Sequence, residues 1–187
     1  MAKKRIIGLT GHKGAGKDEA ATALVQAGFV HLKFAAPIKV MLRALLNFRQ
    51  VNPADIERMI DGNLKEVPAD ALSGETPRHA MQTLGTEWGR RQIAPDLWTS
   101  IVIARAGLEH CNVVISDVRF PNEVEVIREL GGEVWRIARP GCRGDGHLSE
   151  TLMDGIDPDH VVWNDGPCPH RFRSEIGLVW QARFGGA

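Results

Sequence analysis

The sequence predicts an α/β protein in which a parallel sheet is flanked by helices, and three observations carry that prediction. Short apolar runs alternate with longer amphipathic segments along the chain, the order that builds βαβ units. Ile6-Ile7-Gly8-Leu9 and Val113-Val114-Ile115 are continuously apolar, as in strands covered on both faces. The first of these runs opens into a glycine-rich turn and a helix, whereas the second ends at an acid, Asp117.

Taken in order, residues 5–10 form a buried strand that stops at Gly11, Gly14 and Gly16. Residues 17–27 read as a helix closed by Gly28, and residues 30–34 as a second strand. Pro37 suits a helix first turn, and Ile38, Met41, Leu42, Leu45 and Leu46 form an i, i+3, i+4 stripe behind it. Residues 49–75, broken by Pro53, Gly62, Pro68 and Gly74, are predicted as loop around a short helix at 54–60. Pro77 opens a helix towards Ile93; Pro95 ends it, and Asp96 is placed to N-cap another running to about Glu109. Strands at 112–117, 133–138 and 161–163 follow, with a helix at 121–130 closed by Gly131-Gly132 and a last helix at 171–183. Strands alternating with helices in this way imply right-handed crossovers.

A chain of 187 residues fits one domain with its own core. Lys plus Arg and Asp plus Glu each total 23, and a neutral chain lacks the excess positive charge that duplex binding uses. Polymer nucleic acid is therefore not expected, whereas a small phosphorylated ligand needs only a local cluster of cations. The three cysteines, Cys111, Cys142 and Cys168, have no CxxC spacing, so a disulfide framework is not expected. Zinc at Cys142, His147, Cys168 and His170 is disfavoured against an ordinary polar loop. The apolar start after Lys3-Lys4-Arg5 is too short for a signal peptide or membrane span, which points to a reducing cytoplasm.

Gly11-His-Lys-Gly-Ala-Gly16-Lys17-Asp18 matches the GxxxxGK of a Walker A loop, with Asp18 where Ser or Thr is usual. Such glycines let backbone N–H groups curl around phosphates, and the following helix aims its positive end at them. Gly11, Lys13, Gly14, Ala15, Gly16, Lys17, Asp18 and Glu19 are the candidate ATP-binding residues, with Lys17 reaching the β- and γ-phosphates. Asp18 can ligate Mg²⁺ or a water on it; the alternative is a plain helix N-terminal acid. Asp117, at the carboxyl end of its strand, matches a Walker B position and is the second candidate Mg²⁺ ligand; the alternative is a helix N-cap.

Phosphoryl transfer needs several cations around the moving group. Arg78, Arg90, Arg119, Arg136, Arg139 and Arg143 supply candidates, and the last three flank Pro140-Gly141 and lead into a Gly/Asp/His-rich loop suited to a lid. Residues 78–98 hold Arg78, Gln82, Gly85, Trp88, Arg90 and Trp98, a set able to stack a base and fork onto a phosphate. Met81, Leu84, Trp88 and Ile93 read equally as the buried stripe of a helix.

Together these residues resemble the phage-type deoxynucleoside monophosphate kinases. The resemblance rests on the GKD ending at Asp18, Phe34-Ala-Ala-Pro-Ile-Lys39, the block from Thr76 to Arg90, Pro95-Asp-Leu-Trp98, Ser116-Asp-Val-Arg-Phe-Pro-Asn-Glu123 and residues 132–140. It implies a three-layer P-loop kinase fold of one domain, with an acceptor-binding helical insert at about 35–98 and a lid at about 139–150. It also implies an acceptor site built from Phe34, Lys39, Arg78, Gln82, Gly85, Trp88, Trp98, Asp117, Arg119 and Glu123. Catalytic roles then fall to Lys17, Asp18, Asp117, Arg119 and Arg139. The expected reaction moves the γ-phosphate of ATP to a deoxynucleoside monophosphate with Mg²⁺, in a cytoplasm (the host's for a phage protein); a homodimer is compatible with the reading. Glu19 departs from the family's usual Thr. Two other readings compete: a dephospho-coenzyme-A or phosphomevalonate kinase, suggested by Gly8-Leu-Thr-Gly11 and the GKD ending, and a nucleotide-binding switch without transfer chemistry.

Overall fold

Every apolar run assigned to a strand lies in one parallel sheet. In the computed structural model, which describes residues 4–142, 152–166 and 168–185, these are β1 (Ile6–Thr10), β2 (Val30–Leu32), β3 (Val113–Ile115), β4 (Glu133–Ala138) and β5 (His160–Trp163). Their order is β2-β3-β1-β4-β5, with β1 central. The register sets Gly8 beside Ile115 on one side and Thr10 beside Arg136 on the other. The loops leaving β1, β3 and β4 therefore emerge together at the carboxyl edge, where open α/β sheets bind ligands.

The chain divides into two compact units: Met1–Phe34 with Ile101–Ala187, and Ala35–Ser100. The first holds the sheet. Its helices are α1 (Lys17–Gln26), the later part of α5 (Leu97–Leu108), α6 (Pro121–Glu129) and α7 (Pro169–Phe184). Alternate strand residues feed opposite cores. Ile7, Leu9, Val114, Trp135 and Ile137 pack with Leu24 of α1 and with Phe172 and Ile176 of α7. Ile6, Val113, Ile115 and Val134 pack with Val102 and Ala106 of α5 and with Val124 and Ile127 of α6. Burial on both faces is why these strands carry no polar alternation, and it makes the unit three-layered. Each fully buried Leu, Ile or Phe here contributes about 1.5–3 kcal/mol.

The second unit is helical. It contains α2 (Ala36–Phe48), α3 (Pro53–Ile60), a 3₁₀ turn (Asp70–Leu72), α4 (Pro77–Gln82) and a π-helix (Thr83–Ile93). Asn52 caps α3 by accepting from Ala54 N at 2.9 Å, and Thr76 caps α4 by accepting from His79 N at 3.1 Å. Leu42, Leu46, Ile56 and Ile60 form its core. The predicted stripe on α2 is narrower than the sequence suggests: Ile38, Leu42 and Leu46 are buried, but Leu45 is 48% exposed.

Two further corrections concern element ends and type. The strand expected to run to Asp117 stops at Ile115, and Ser116 N bonds back to Leu32 O. The helix expected from Pro77 to Ile93 is α-helical only to Gln82 and continues with wider π turns. Residues 143–150 of the expected lid, with Arg143 and His147, lie outside the described residues. Among the described residues no helix is long and apolar enough to cross a membrane.

Candidate active site

The loop after β1 is shaped by its glycines. Gly11 has φ +140°, and a Cβ there would come within 2.2 Å of Ile137 O on the neighbouring strand. Gly16, at φ +106°, is the left-handed residue before α1 and brings no side chain to cap the helix. Ala15 N donates to His12 O at 3.1 Å, closing the turn. Lys17 folds its Nζ over this turn, donating to the carbonyl oxygens of Gly11 and His12. Three residues expected at the donor phosphates, Gly11, Gly16 and Lys17, thus meet around one loop.

The flanking acids are engaged by the two residues that follow β2, which ends at Leu32 and not, as expected, at residue 34. Lys33 Nζ donates to Asp18 Oδ1 at 2.8 Å, and Phe34 N donates to Asp117 Oδ1, also at 2.8 Å. Partial desolvation pushes the pKa of Asp18 up; the Lys33 hydrogen bond and then the charges of Lys33, Lys17 and His31 outweigh it, leaving the carboxyl below its ordinary value. Glu19, grouped with the donor residues by its place in the motif, pairs with Arg173 of α7 at 3.4 Å.

Glu123, expected to line the acceptor site, is buried against the turn that follows β3. It is 2% exposed, and its Oε2 accepts from Arg119 N at 2.7 Å and Phe120 N at 3.1 Å. The carboxylate thereby closes the turn that leads from Asp117 into α6, whose first residue, Pro121, has no N–H to satisfy. Arg136, one of the candidate cations, donates from Nη2 to the carbonyls of Met153, Asp154 and Ile156, so its charge holds that segment together. Arg139, exposed at the end of β4, accepts on its carbonyl oxygen from Cys142 N at 3.2 Å.

In the helical unit the two tryptophans expected at the acceptor site differ in exposure. Trp88, readable as part of a buried stripe, is 36% exposed, and Ile93 is 54% exposed. Trp98, expected to line the acceptor site, is 2% exposed and donates its Nε1–H to Gly85 O at 2.7 Å. Gly89 makes room for it, since a Cβ there would sit 2.3 Å from the Trp98 ring. A ring so enclosed offers no open face for stacking, whereas Trp88 tilts over it at 6.3 Å between centroids and keeps an outer face. Lys39 pairs with Asp61 and Arg78 with Glu66, and Gln82 is half-buried. Of the expected acceptor residues, Phe34, Asp117, Arg119 and Glu123 belong to the sheet unit, and Lys39, Arg78, Gln82, Gly85, Trp88 and Trp98 to the helical unit.

Three residues at the loop escaped the sequence reading. Met153 Sδ accepts from Gly11 N at 3.4 Å, and Asp154 pairs with His12 at 3.1 Å. Asn164, just past β5, donates from Nδ2 to Ala15 O at 2.8 Å. Its signal in the sequence was weak but present: a polar residue directly after a strand, the position that also drew attention to Asp117.

A glycine-shaped loop between the central strand of a parallel sheet and a helix, with a lysine folded over it, defines a P-loop protein. Solved structures agree on the fold. A shikimate kinase from Aquifex aeolicus superposes with TM-score 0.51 at 14% identity, covering 97% of this chain and 99% of that one. A dephospho-CoA kinase from Campylobacter jejuni does so with TM-score 0.51 at 16% identity, covering 98% of each. The profile of the deoxynucleotide monophosphate kinase family matches residues 60–170. A protein of Acanthamoeba polyphaga mimivirus, named as a candidate deoxynucleotide monophosphate kinase, is 35% identical over 91% of this chain and 93% of its own. The deoxynucleoside-5'-monophosphate kinase of Escherichia phage T5 is 42% identical over 55 residues, 29% of this chain and 22% of that protein. The chain belongs to the deoxynucleotide monophosphate kinase family.

Proposed function

We propose that this chain transfers the γ-phosphate of ATP to a deoxynucleoside monophosphate, with Mg²⁺, through the loop at residues 11–18. The observation that carries this reading is the loop itself: Gly16 opens α1 without a capping side chain, in a chain of the deoxynucleotide monophosphate kinase family. The uncapped first turn, with Lys17 beside it, suits the β- and γ-phosphates of a nucleoside triphosphate. Gly11, Lys13, Gly14, Ala15 and Gly16 line the donor phosphates, and Glu19 stands at the edge of that set. The acceptor's phosphate oxygen attacks the γ-phosphorus as the bond to the β-phosphate oxygen breaks, giving a deoxynucleoside diphosphate and ADP.

The residues fit Mg²⁺. Asp18 is exposed and held in its charged form, and Asp117 is a second carboxylate beyond the end of β3. Mg²⁺ takes one or two carboxylates and completes its shell with phosphate oxygens and water. When bound, it neutralises charge on the transferring phosphoryl group. In this reading Arg119 and Arg139 add positive charge on the sheet unit, and Arg119 is held by the turn that Glu123 closes. Lys39 and Arg78 provide cations for the acceptor, which requires that they leave Asp61 and Glu66. Trp88 gives the base its stacking surface, while Gly85 and Trp98 shape the helix that carries it. In this reading residues 35–98 serve as an acceptor-binding insert and residues 139–150 as a lid.

Turnover with ATP and Mg²⁺, measured against each ribo- and deoxyribonucleoside monophosphate, dephospho-coenzyme A and phosphomevalonate, tests the reading. A deoxynucleoside monophosphate should give the highest kcat/KM, and Lys17→Ala should lower turnover about 100-fold or more with the fold intact. ATP consumption that no acceptor stimulates, or near-normal turnover by Lys17→Ala, would refute it.

A further inference from the structure

Asn164 stands where β5 ends, and both its backbone and its side chain reach the donor edge of the sheet. Its N–H donates to Ala138 O at 2.7 Å, and its Nδ2 donates to Ala15 O at 2.8 Å. The residue is 7% exposed, so the amide forms its loop bond away from bulk water. A Cβ on Gly16 would lie 2.5 Å from the same Nδ2 and 3.4 Å from the Phe172 ring. The Ala15–Gly16 peptide is therefore fixed from one side by a hydrogen bond and by close packing.

That contact has a directional consequence. Across a trans peptide the C=O of one residue and the N–H of the next point in opposite directions. Turning Ala15 O onto Asn164 aims the Gly16 N–H away from β5. Gly16, at φ +106°, then leads into the uncapped start of α1. We infer that Asn164 is a positioning residue for donor binding: it sets the orientation of the Ala15–Gly16 peptide and so preorganises the N–H groups that receive the donor phosphates. It touches no reacting atom itself. The inference rests on the reading of residues 11–18 as the donor loop, and it assigns a function to a residue that carries neither charge nor motif.

Asn164→Asp keeps the shape but sets an acceptor against Ala15 O, and Asn164→Ala removes the donor. Three measurements on the full chain separate positioning from mere support. Calorimetric binding of a non-hydrolysable ATP analogue with Mg²⁺ should weaken about tenfold or more in both variants, the scale of one lost buried hydrogen bond. The KM for deoxynucleoside monophosphate should stay within about twofold, because the defect lies on the donor side alone. Amide exchange in peptides spanning residues 13–18 should accelerate in the ligand-free protein. Unchanged donor affinity in a folded variant, even with a lowered Tm, would overturn the inference, as would an equal weakening of donor and acceptor. Should Asn164→Asp fail to fold, Asn164→Ala carries the test. Lys17→Ala serves as the control: if it binds the analogue normally, the donor-loop reading fails, and the amide-exchange comparison still decides whether Asn164 orders the loop.

Discussion

Removing the carboxylate of Glu123 tests how the turn after β3 is held, and the structure sets the magnitude. Oε2 accepts from Arg119 N at 2.7 Å and Phe120 N at 3.1 Å, and the residue is 2% exposed. A hydrogen bond to a charged group contributes about 1.5–3 kcal/mol, so Glu123→Ala, which leaves both N–H groups without this acceptor, should cost about 3–5 kcal/mol. Glu123→Gln keeps a neutral oxygen in nearly the same place and should cost about half as much. Against a typical total stability of about 5–15 kcal/mol, the alanine loss is large enough to leave the protein marginal. Urea unfolding at fixed pH should rank the wild type above Gln and Gln above Ala, with unchanged m-values. On the folded Gln variant, turnover with a deoxynucleoside monophosphate should fall only a few-fold, because the charge that Arg119 adds under the proposed function is displaced and not removed. A loss below about 1 kcal/mol in Glu123→Ala would refute the argument from these two bonds. So would a large acceptor KM effect in Glu123→Gln at full stability, which would return Glu123 to the acceptor surface.

Two other perturbations probe the neighbouring structure. Gly89→Ala puts a methyl 2.3 Å from a Trp98 ring that is 2% exposed and pinned to Gly85 O, so thermal and urea unfolding should show a loss of about 1–3 kcal/mol; wild-type stability would mean that the indole is free to move. Lys33→Met removes the hydrogen bond and the nearest charge that depress Asp18, so NMR titration of its carboxyl should show the pKa rising from its lowered value, and an unmoved titration would dismiss the pairing. Because the folded pKa of Asp18 lies below the unfolded one, its contribution to stability is complete above about pH 4 and is lost as pH falls through the folded value; the gap between wild type and Lys33→Met should therefore close in acid.

The sheet was legible because its signal is local. Ile6-Ile7 and Val113-Val114-Ile115 are apolar at every position since both faces are covered, and the glycines after β1 have to lie where a turn with left-handed residues lies. The π-helix was not legible. From Thr76 to Ile93 the apolar spacing fits an ordinary helix, and nothing in that segment announces that Trp98, several residues later, will press against Gly89 and donate its indole N–H to Gly85 O. Periodicity reports which residues prefer burial and not how wide the buried face becomes, which is why Leu45 was placed with Leu42 and Leu46 although it stays exposed.

The same distinction separates the donor loop from the rest of the candidate site. Its glycines and Lys17 are contiguous, and the shape they form is dictated by their own φ angles, so a motif suffices to find them. What Glu123, Arg136 and Asn164 hold is visible only through their partners. A glutamate in the first turn of a helix, an arginine in a strand and an asparagine after one are equally compatible with ligand binding and with backbone satisfaction. The decision rests on where buried N–H and C=O groups lie: Arg119 and Phe120 N for Glu123, Met153 and Ile156 O for Arg136, Ala15 O for Asn164. Buried backbone groups demand partners nearly without exception, so polar side chains near a loop-built site are claimed first by the loops. Side chains that keep solvent-facing atoms, such as Asp18 and Trp88, are among those the proposed function draws on. Such a site therefore consists of a few residues that touch ligand, surrounded by more that hold the backbone in place, and in a sequence the second kind resembles the first.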